Sequence, residues 1–177
     1  MQELAWGSNK ARIWLNELPS WDYEVTHVVE HHLPAYGMHS GGVRCVAVER
    51  VRYVAQIMYG ALGATFVPEP REDLLVQVLV STDQGQLHQG PLVARSETAR
   101  LGFPNEYVKC LLNGVIQSEY TQLLGTGTLS FCRAIHGEVG SSINFFEIVS
   151  RTVVRLLCLN AVPFSDEDLL AFLQQKH

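Results

Sequence analysis

Several things are scarce or missing in this chain. There are four cysteines in 177 residues, Cys45, Cys110, Cys132 and Cys158, and no C-x-x-C pair among them. Spacing therefore offers neither a zinc knuckle nor a redox pair. Each lies in an apolar stretch, the setting of a buried reduced thiol, and a cytoplasmic location is the expectation that follows. No run reaches the ~18 unbroken apolar residues of a membrane-spanning helix. No apolar run behind a basic leader opens the chain, so neither a membrane span nor a secretory signal is expected. Charge is thin, at 18% of residues, and 13 Lys and Arg face 18 Asp and Glu for a net charge of −5. The lack of clustered basic residues to displace counterions argues against tight sequence-independent nucleic-acid binding and leaves docking onto RNA through one local patch. There is no GK[ST] phosphate loop, which excludes nucleotide triphosphate hydrolysis by that route. There is no G-x-S-x-G elbow for a serine hydrolase. Neither a repeat nor a low-complexity segment is visible.

What is present suits one packed domain. Hydrophobic residues make up 47% of the chain, enough to bury a core at this length. Residues 23–30 are rich in β-branched side chains, 74–80 are nearly all apolar, and 128–135 follow a Gly125-Thr126-Gly127 turn. All three read as strands, with 12–18 and 91–95 as further candidates. Apolar residues at Val43, Ala47, Val51, Val54, Met58 and Ala61 trace a 3.6-residue stripe, which predicts a long helix over 43–62. Helices are also predicted over 104–119, opened by Pro104; over 143–159, with Ser141 and Ser142 as N-caps; and over 165–175, with acidic residues in its first turn. The Pro68-Glu69-Pro70 stretch reads as a connector. The expected architecture is α+β, a sheet with helices on one face. Residues 1–70 contribute N-terminal strands and the long helix to the same domain as 71–177.

Two loops carry candidate chemistry. In the first, His39, Ser40, Gly41 and Gly42 lead to Arg44 and the predicted long helix. Glycines before a helix N-terminus expose N–H donors that can cradle a small anionic ligand. The same residues also serve simply as a turn and an N-cap. In the second, His136 and Glu138 stand on an exposed turn close to Ser141 and Ser142. A Ser–His pair there would need an oriented base and a positioned nucleophile, and capping explains the serines better. His27, His31 and His32 cluster in sequence, but on a strand positions four apart are ~13 Å apart, so no metal site is expected from them. No cofactor is called for, and no complete catalytic constellation is visible.

The second half carries a recognisable order of motifs. Pro104-Asn105-Glu106-Tyr107-Val108 is followed by Gly114, a strand, Glu138-Val139-Gly140-Ser141-Ser142, and Phe145 or Phe146 within the next helix. This order resembles domain IV of translation elongation factor G and its ribosomal-protection relatives, over residues 74–159. Gly140 stands where the family has Asp, and Gly137 separates His136 from the acidic residue that the family's tip histidine directly precedes. The resemblance implies a ribosomal-protein-like split β-α-β sheet with a left-handed crossover. It also implies that His136, Glu138, Ser141 and Ser142 form a partner-binding tip, with the ribosome as partner. Arg95, Arg100 and Arg133 would supply a basic patch if they gather there. Fold alone does not establish function. Two other readings stand beside this one: a small-molecule binding protein or enzyme using the His39–Gly42 loop and His136, and a homo-oligomer anchored by Trp6, Trp14 and Trp21. The latter aromatics serve equally well as a cover for one end of the core.

Overall fold

A computed structural model describes residues 1–37, 41–93, 97–159 and 165–174. It is an α+β structure built on one eight-stranded mixed sheet. The strands are β1 (Gln2–Trp6), β2 (Asn9–Leu15), β3 (His27–Pro34), β4 (Arg44–Arg52), β5 (Met58–Pro68), β6 (Asp73–Val80), β7 (Ala99–Leu101) and β8 (Gly127–Gly137). A 3-10 turn (Asn105–Tyr107) leads into α1 (Val108–Gln117), and α2 (Thr121–Leu124), α3 (Ile143–Leu159) and α4 (Asp166–Gln174) complete the elements. The sheet order is β1-β2-β4-β5-β8-β6-β3, with β7 also paired to β8. Every pairing is antiparallel except β6 with β8. Those two neighbours run parallel because α1 and α2 carry the chain across between them, as parallel strands require. Strands from residues 1–70 and from 71–177 share this one sheet.

The predicted helix over 43–62 is instead the hairpin β4–β5. Its apolar residues serve two faces. Val46, Val48, Leu62, Ala64 and Phe66 belong to the main core, while Ala47, Val51, Tyr59 and Ala61 belong to a second cluster. A strand covered on both sides reads as apolar at every position, so a helical stripe can be drawn through it. The candidate strand at 12–18 lies earlier, at β2, and ends where Asn16 takes a positive φ of 59°. The candidate at 23–30 is shifted to β3, in register with all of β6 from His27↔Val80 to Pro34↔Asp73. Residues 91–93 form no strand; Leu92 and Val93 plug the second cluster instead. The remainder of that candidate lies outside the described residues.

The helical residues that join a core cluster, from Val108 to Leu173, all belong to the main one, so the helices cover one face of the sheet. Phe145, Phe146, Val149, Val153 and Val154 of α3 are fully or almost fully buried there. The other face is closed by loops. Trp21 is buried in it, with Trp14 packed edge-to-face at 4.9 Å. Trp6 lies under the Arg50 guanidinium. Among the described residues, no helix is long and apolar enough to cross a membrane.

Gly114 marks the closest approach of α1 to α3. A Cβ there would lie 2.1 Å from Ser150 Oγ and 2.4 Å from the Glu147 carbonyl oxygen. The carbonyl is backbone and cannot swing aside, so overpacking, at about 1–3 kcal/mol, should outweigh the ~1 kcal/mol that Ala gains over Gly in a helix. Gly114→Ala should therefore lower the melting temperature by several degrees. An unchanged or raised melting temperature would show that the two helices separate without cost.

Candidate functional site

The site is set by an irregularity in β8. Gly63 pairs with Arg133 and Ala64 with Phe131, so Cys132 is an extra residue, a β-bulge. A bulge reverses which face the following side chains take. Before it, Leu129 and Phe131 enter the helix-side core; after it, Ala134 does, while Ile135 turns to the opposite cluster. His136 therefore lies on the helix side, with its ring 6.5 Å from that of Tyr107. Contrary to the exposed position expected from sequence, His136 is 4% exposed. Its Nδ1 lies 3.1 Å from the Gly102 carbonyl oxygen. A carbonyl only accepts, so Nδ1 carries the proton and the Nε2 lone pair is left available in the neutral ring. Opposite it across the β7–β8 ladder stands Arg100.

The turn after β8 is tied down by side chains. Gly137 N–H donates to Ser141 Oγ at 2.7 Å, and that hydroxyl donates to the Tyr59 carbonyl at 2.8 Å. Tyr59 N–H donates to the Gly140 carbonyl. Val139 N–H donates to the buried Glu97 carboxylate at 2.9 Å. Ser141 is thus engaged by the turn and not by the helix. Ser142 offers α3 only its backbone carbonyl, to Phe145 and Phe146 N–H. Its own Oγ is buried without a partner among the described residues. The predicted side-chain caps of this helix are absent because the turn competes for one hydroxyl and encloses the other. Ser165 does cap α4, its Oγ accepting from Asp168 N–H and donating to the Asp168 carboxylate.

Two adjoining concavities meet over Tyr107. One, of about 320 Å³, is lined by Asp83, Arg100, Glu106, Tyr107, His136 and Glu138, among others. The other, of about 390 Å³, shares Glu106 and Tyr107 and is lined further by Ser141, Ser142, Ile143 and Asn144. The four predicted tip residues thus line two adjoining concavities, His136 and Glu138 the first and Ser141 and Ser142 the second. Arg100 bridges Glu138 at 2.6 Å and donates to the Gly85 carbonyl. Tyr107 rests on Phe146, with ring centroids 4.7 Å apart. Burial, and then the neighbouring Glu106 carboxylate, push its phenol up to about 12. Glu97, Arg100 and Tyr107 were not singled out in sequence as a set, since only the β7–β8 pairing brings 97–100 to this turn.

The other predicted residues are elsewhere. His39 and Ser40 lie outside the described residues. Gly41 and Gly42 precede strand β4, which Arg44 opens, so the helix N-terminus that was to favour an anion is missing. Arg44 donates to the Leu157 carbonyl at 2.7 Å near the end of α3 and lies over the Phe66 ring. It is a packing residue whose guanidinium is pushed down in pKa by burial. No basic patch forms among the described residues: Arg100 is paired with Glu138, and Arg133 with Asp22 at 2.8 Å. Arg95 lies outside them. His27 and His31 are on strand β3, the extended spacing that separates them. Cys45, Cys110, Cys132 and Cys158 are all free thiols.

Compared with known proteins, the chain matches no family model and no curated protein sequence.

Two outcomes follow from this geometry. A Cβ on Gly140 would stand 2.8 Å from Glu97 Oε2. Gly140→Asp would therefore press a second carboxylate against Glu97, and should cost more stability in a denaturant melt than Gly140→Ala. Equal costs would remove the charge argument. The second outcome concerns alkaline pH. An unfolded tyrosine titrates near ~10, whereas Tyr107 is pushed to about 12 and burial also raises Tyr59 and Tyr23. Raised phenols stabilise the fold fully below their unfolded pKa, and that contribution is lost as pH climbs from ~10 through the folded values. The denaturation midpoint should fall above about pH 10, less steeply in Tyr107→Phe. A Tyr107→Phe profile parallel to wild type would contradict the assignment.

Proposed function

We propose that this protein is a non-GTPase binding protein that engages a macromolecular partner through the end of the sheet where His136, Glu138, Ser141 and Ser142 meet. One observation supports the reading most. Residues from β7, the 3-10 turn, β8 and the start of α3 line two adjoining concavities, and the turn beside them is fixed by Ser141 and Glu97. A rigid, concave, polar surface of this kind is suited to recognition. The resemblance to elongation factor G domain IV suggests the ribosome as that partner. A catalytic role has less support, because neither Ser141 nor Ser142 is hydrogen-bonded to His136 among the described residues.

The test is co-sedimentation with intact ribosomes at low and moderate salt. Wild type should pellet in a salt-sensitive manner. Glu138→Gln, which alters an exposed side chain held only by Arg100 among the described residues, should reduce the pelleted fraction several-fold without changing the melting temperature. Protein that stays in the supernatant at both salts would dismiss the ribosome. Pelleting unchanged or increased by Glu138→Gln would dismiss the cleft as the contact.

A further inference from the structure

We propose that strand β3 is a dimerisation edge, which pairs antiparallel with β3 of a second copy of this chain and joins two sheets into one. The concavities beside His136 play no part in this. β3 ends the sheet and pairs only with β6. Its outer side therefore leaves backbone N–H and C=O groups without a ladder partner among the described residues. Soluble proteins blunt such an edge with a bulge, a lysine, a short strand or a cover. β3 has little of this protection. It is eight residues long, holds no Lys or Arg, and runs with β6 in unbroken register from His27↔Val80 to Pro34↔Asp73. Pro34, at its last position, limits pairing to the residues before it. The opposite edge is different: β1 has five residues, its Glu3 is bridged to Arg12, and α4 packs against it.

Apolar surface gathers at the same edge. Of the eleven large apolar residues exposed among the described ones, five lie on β3 or around it. Val28 is on the strand, and Val25 and Tyr36 flank it. Ile116 is on α1, which packs on β3, and Leu123 follows Gln122, whose Nε2 donates to the Pro34 carbonyl. The side chains of β3 then select the occupant. Val29 and Leu33 pack against the main core, so odd positions face the helices, while Glu30 meets Gln77 and His32 meets Asp73 on the other face. A two-fold axis normal to the sheet keeps the helices of both copies on one side, so odd positions pair only with odd and even only with even. Centred on Glu30, the pairing sets two carboxylates directly opposite each other, which is unfavourable. Centred on Val29 it sets Val28 against Glu30 of the other copy, and centred on His32 it sets His31 against Leu33. Centred on His31, the edges match. Val29 meets Leu33 of the other copy on the helix side, and Glu30 meets His32 on the open side. β3 is thus complementary to itself in one register, and this favours a second copy over an unrelated segment.

The test follows the intact protein by light scattering during size-exclusion chromatography over a concentration series at pH 7. The mass should approach twice that of one chain as concentration rises. Val28→Lys combined with Glu30→Lys places like charges along both edges, and both substituted side chains are exposed. This variant should raise the dimer dissociation constant about tenfold or more, with the far-UV circular dichroism spectrum unchanged. A second set of variants reads the register. Residue 31 lies opposite itself across the axis, at the ~4.5–5.5 Å Cα separation of an antiparallel pair, which a disulfide spans. Mild oxidation of His31→Cys should give a covalent dimer, where wild type, Glu30→Cys and His32→Cys give little. A chain that is monomeric at every concentration would overturn the proposal. A dimer that the double lysine variant leaves intact would overturn it too, as would cross-linking stronger at position 30 or 32 than at 31. If the chain is monomeric alone and its β3 amides gain hydrogen-exchange protection when ribosomes are added, the edge serves that partner and the self-pairing falls.

Discussion

The extra residue at Cys132 is the constraint on which the site depends. β8 pairs with β5 along most of one edge, and with β6 and then β7 along the other. A strand held this way cannot slide, so its side chains are assigned to faces by parity alone. The bulge changes that parity once, between Phe131 and Arg133. Without it, His136 would face the cluster of Trp21, Leu92 and Ala99, away from Tyr107 and Phe146. With it, one strand serves the core of both faces and still ends on the helix side. Gly63, opposite Arg133, matches this crowding: a Cβ there would meet Arg133 Cβ at 2.9 Å.

Tyr59 connects this end of the sheet to the face that the helices leave open. Its backbone N–H and carbonyl hold Gly140 and Ser141 in the turn, while its hydroxyl donates to Glu49 at 2.8 Å. Glu49 is fully buried, and it also accepts from Leu92 N–H at 2.7 Å and from Arg12 at 3.3 Å. An isolated carboxylate so deep would cost several kcal/mol, and only several donors make it tolerable. Those donors fix the loop that carries Leu92 and Val93 over the second cluster. Glu97, at the foot of β7, accepts from Val139 N–H. The cover of one face and the shape of the cleft on the other are therefore held by a chain of hydrogen bonds that crosses the sheet at a single residue.

The sequence was most legible where one face of an element is apolar. Helix α3 was read over its observed span, Ile143–Leu159, because a single stripe of Phe146, Val149, Val153 and Leu157 meets the core. β6 was found from its apolar run, and β8 from weak alternation after the Gly125-Thr126-Gly127 turn. The β4–β5 hairpin was misread as a helix because both its faces are covered, which erases the period-2 signal. β1 and β7 were missed because short edge or partial strands carry little pattern of their own. The gathering of His136, Glu138, Ser141 and Ser142 followed from their closeness along the chain. The burial of His136 did not, because it depends on the bulge and on Gly102, which lies 34 positions away. The glycine-rich loop shows the opposite error: its composition suited an anion cradle, but only the structure could show that a strand follows.

The motif order and the electrostatics of the cleft pull in different directions, and the geometry accounts for this. A tip that enters an RNA-lined site needs positive charge at its surface. Here the one guanidinium at the cleft, Arg100, is neutralised by Glu138, and Glu97 lies beneath the turn as its internal acceptor. Gly140 is small because Glu97 fills the space its side chain would use. The turn has therefore taken its carboxylate from β7's leading loop, and that loop also brings Arg100 into register opposite His136. Charge at this end of the sheet is set by residues distant in sequence from the motif itself. An order of motifs along the chain therefore does not by itself set the charge of the surface that it builds.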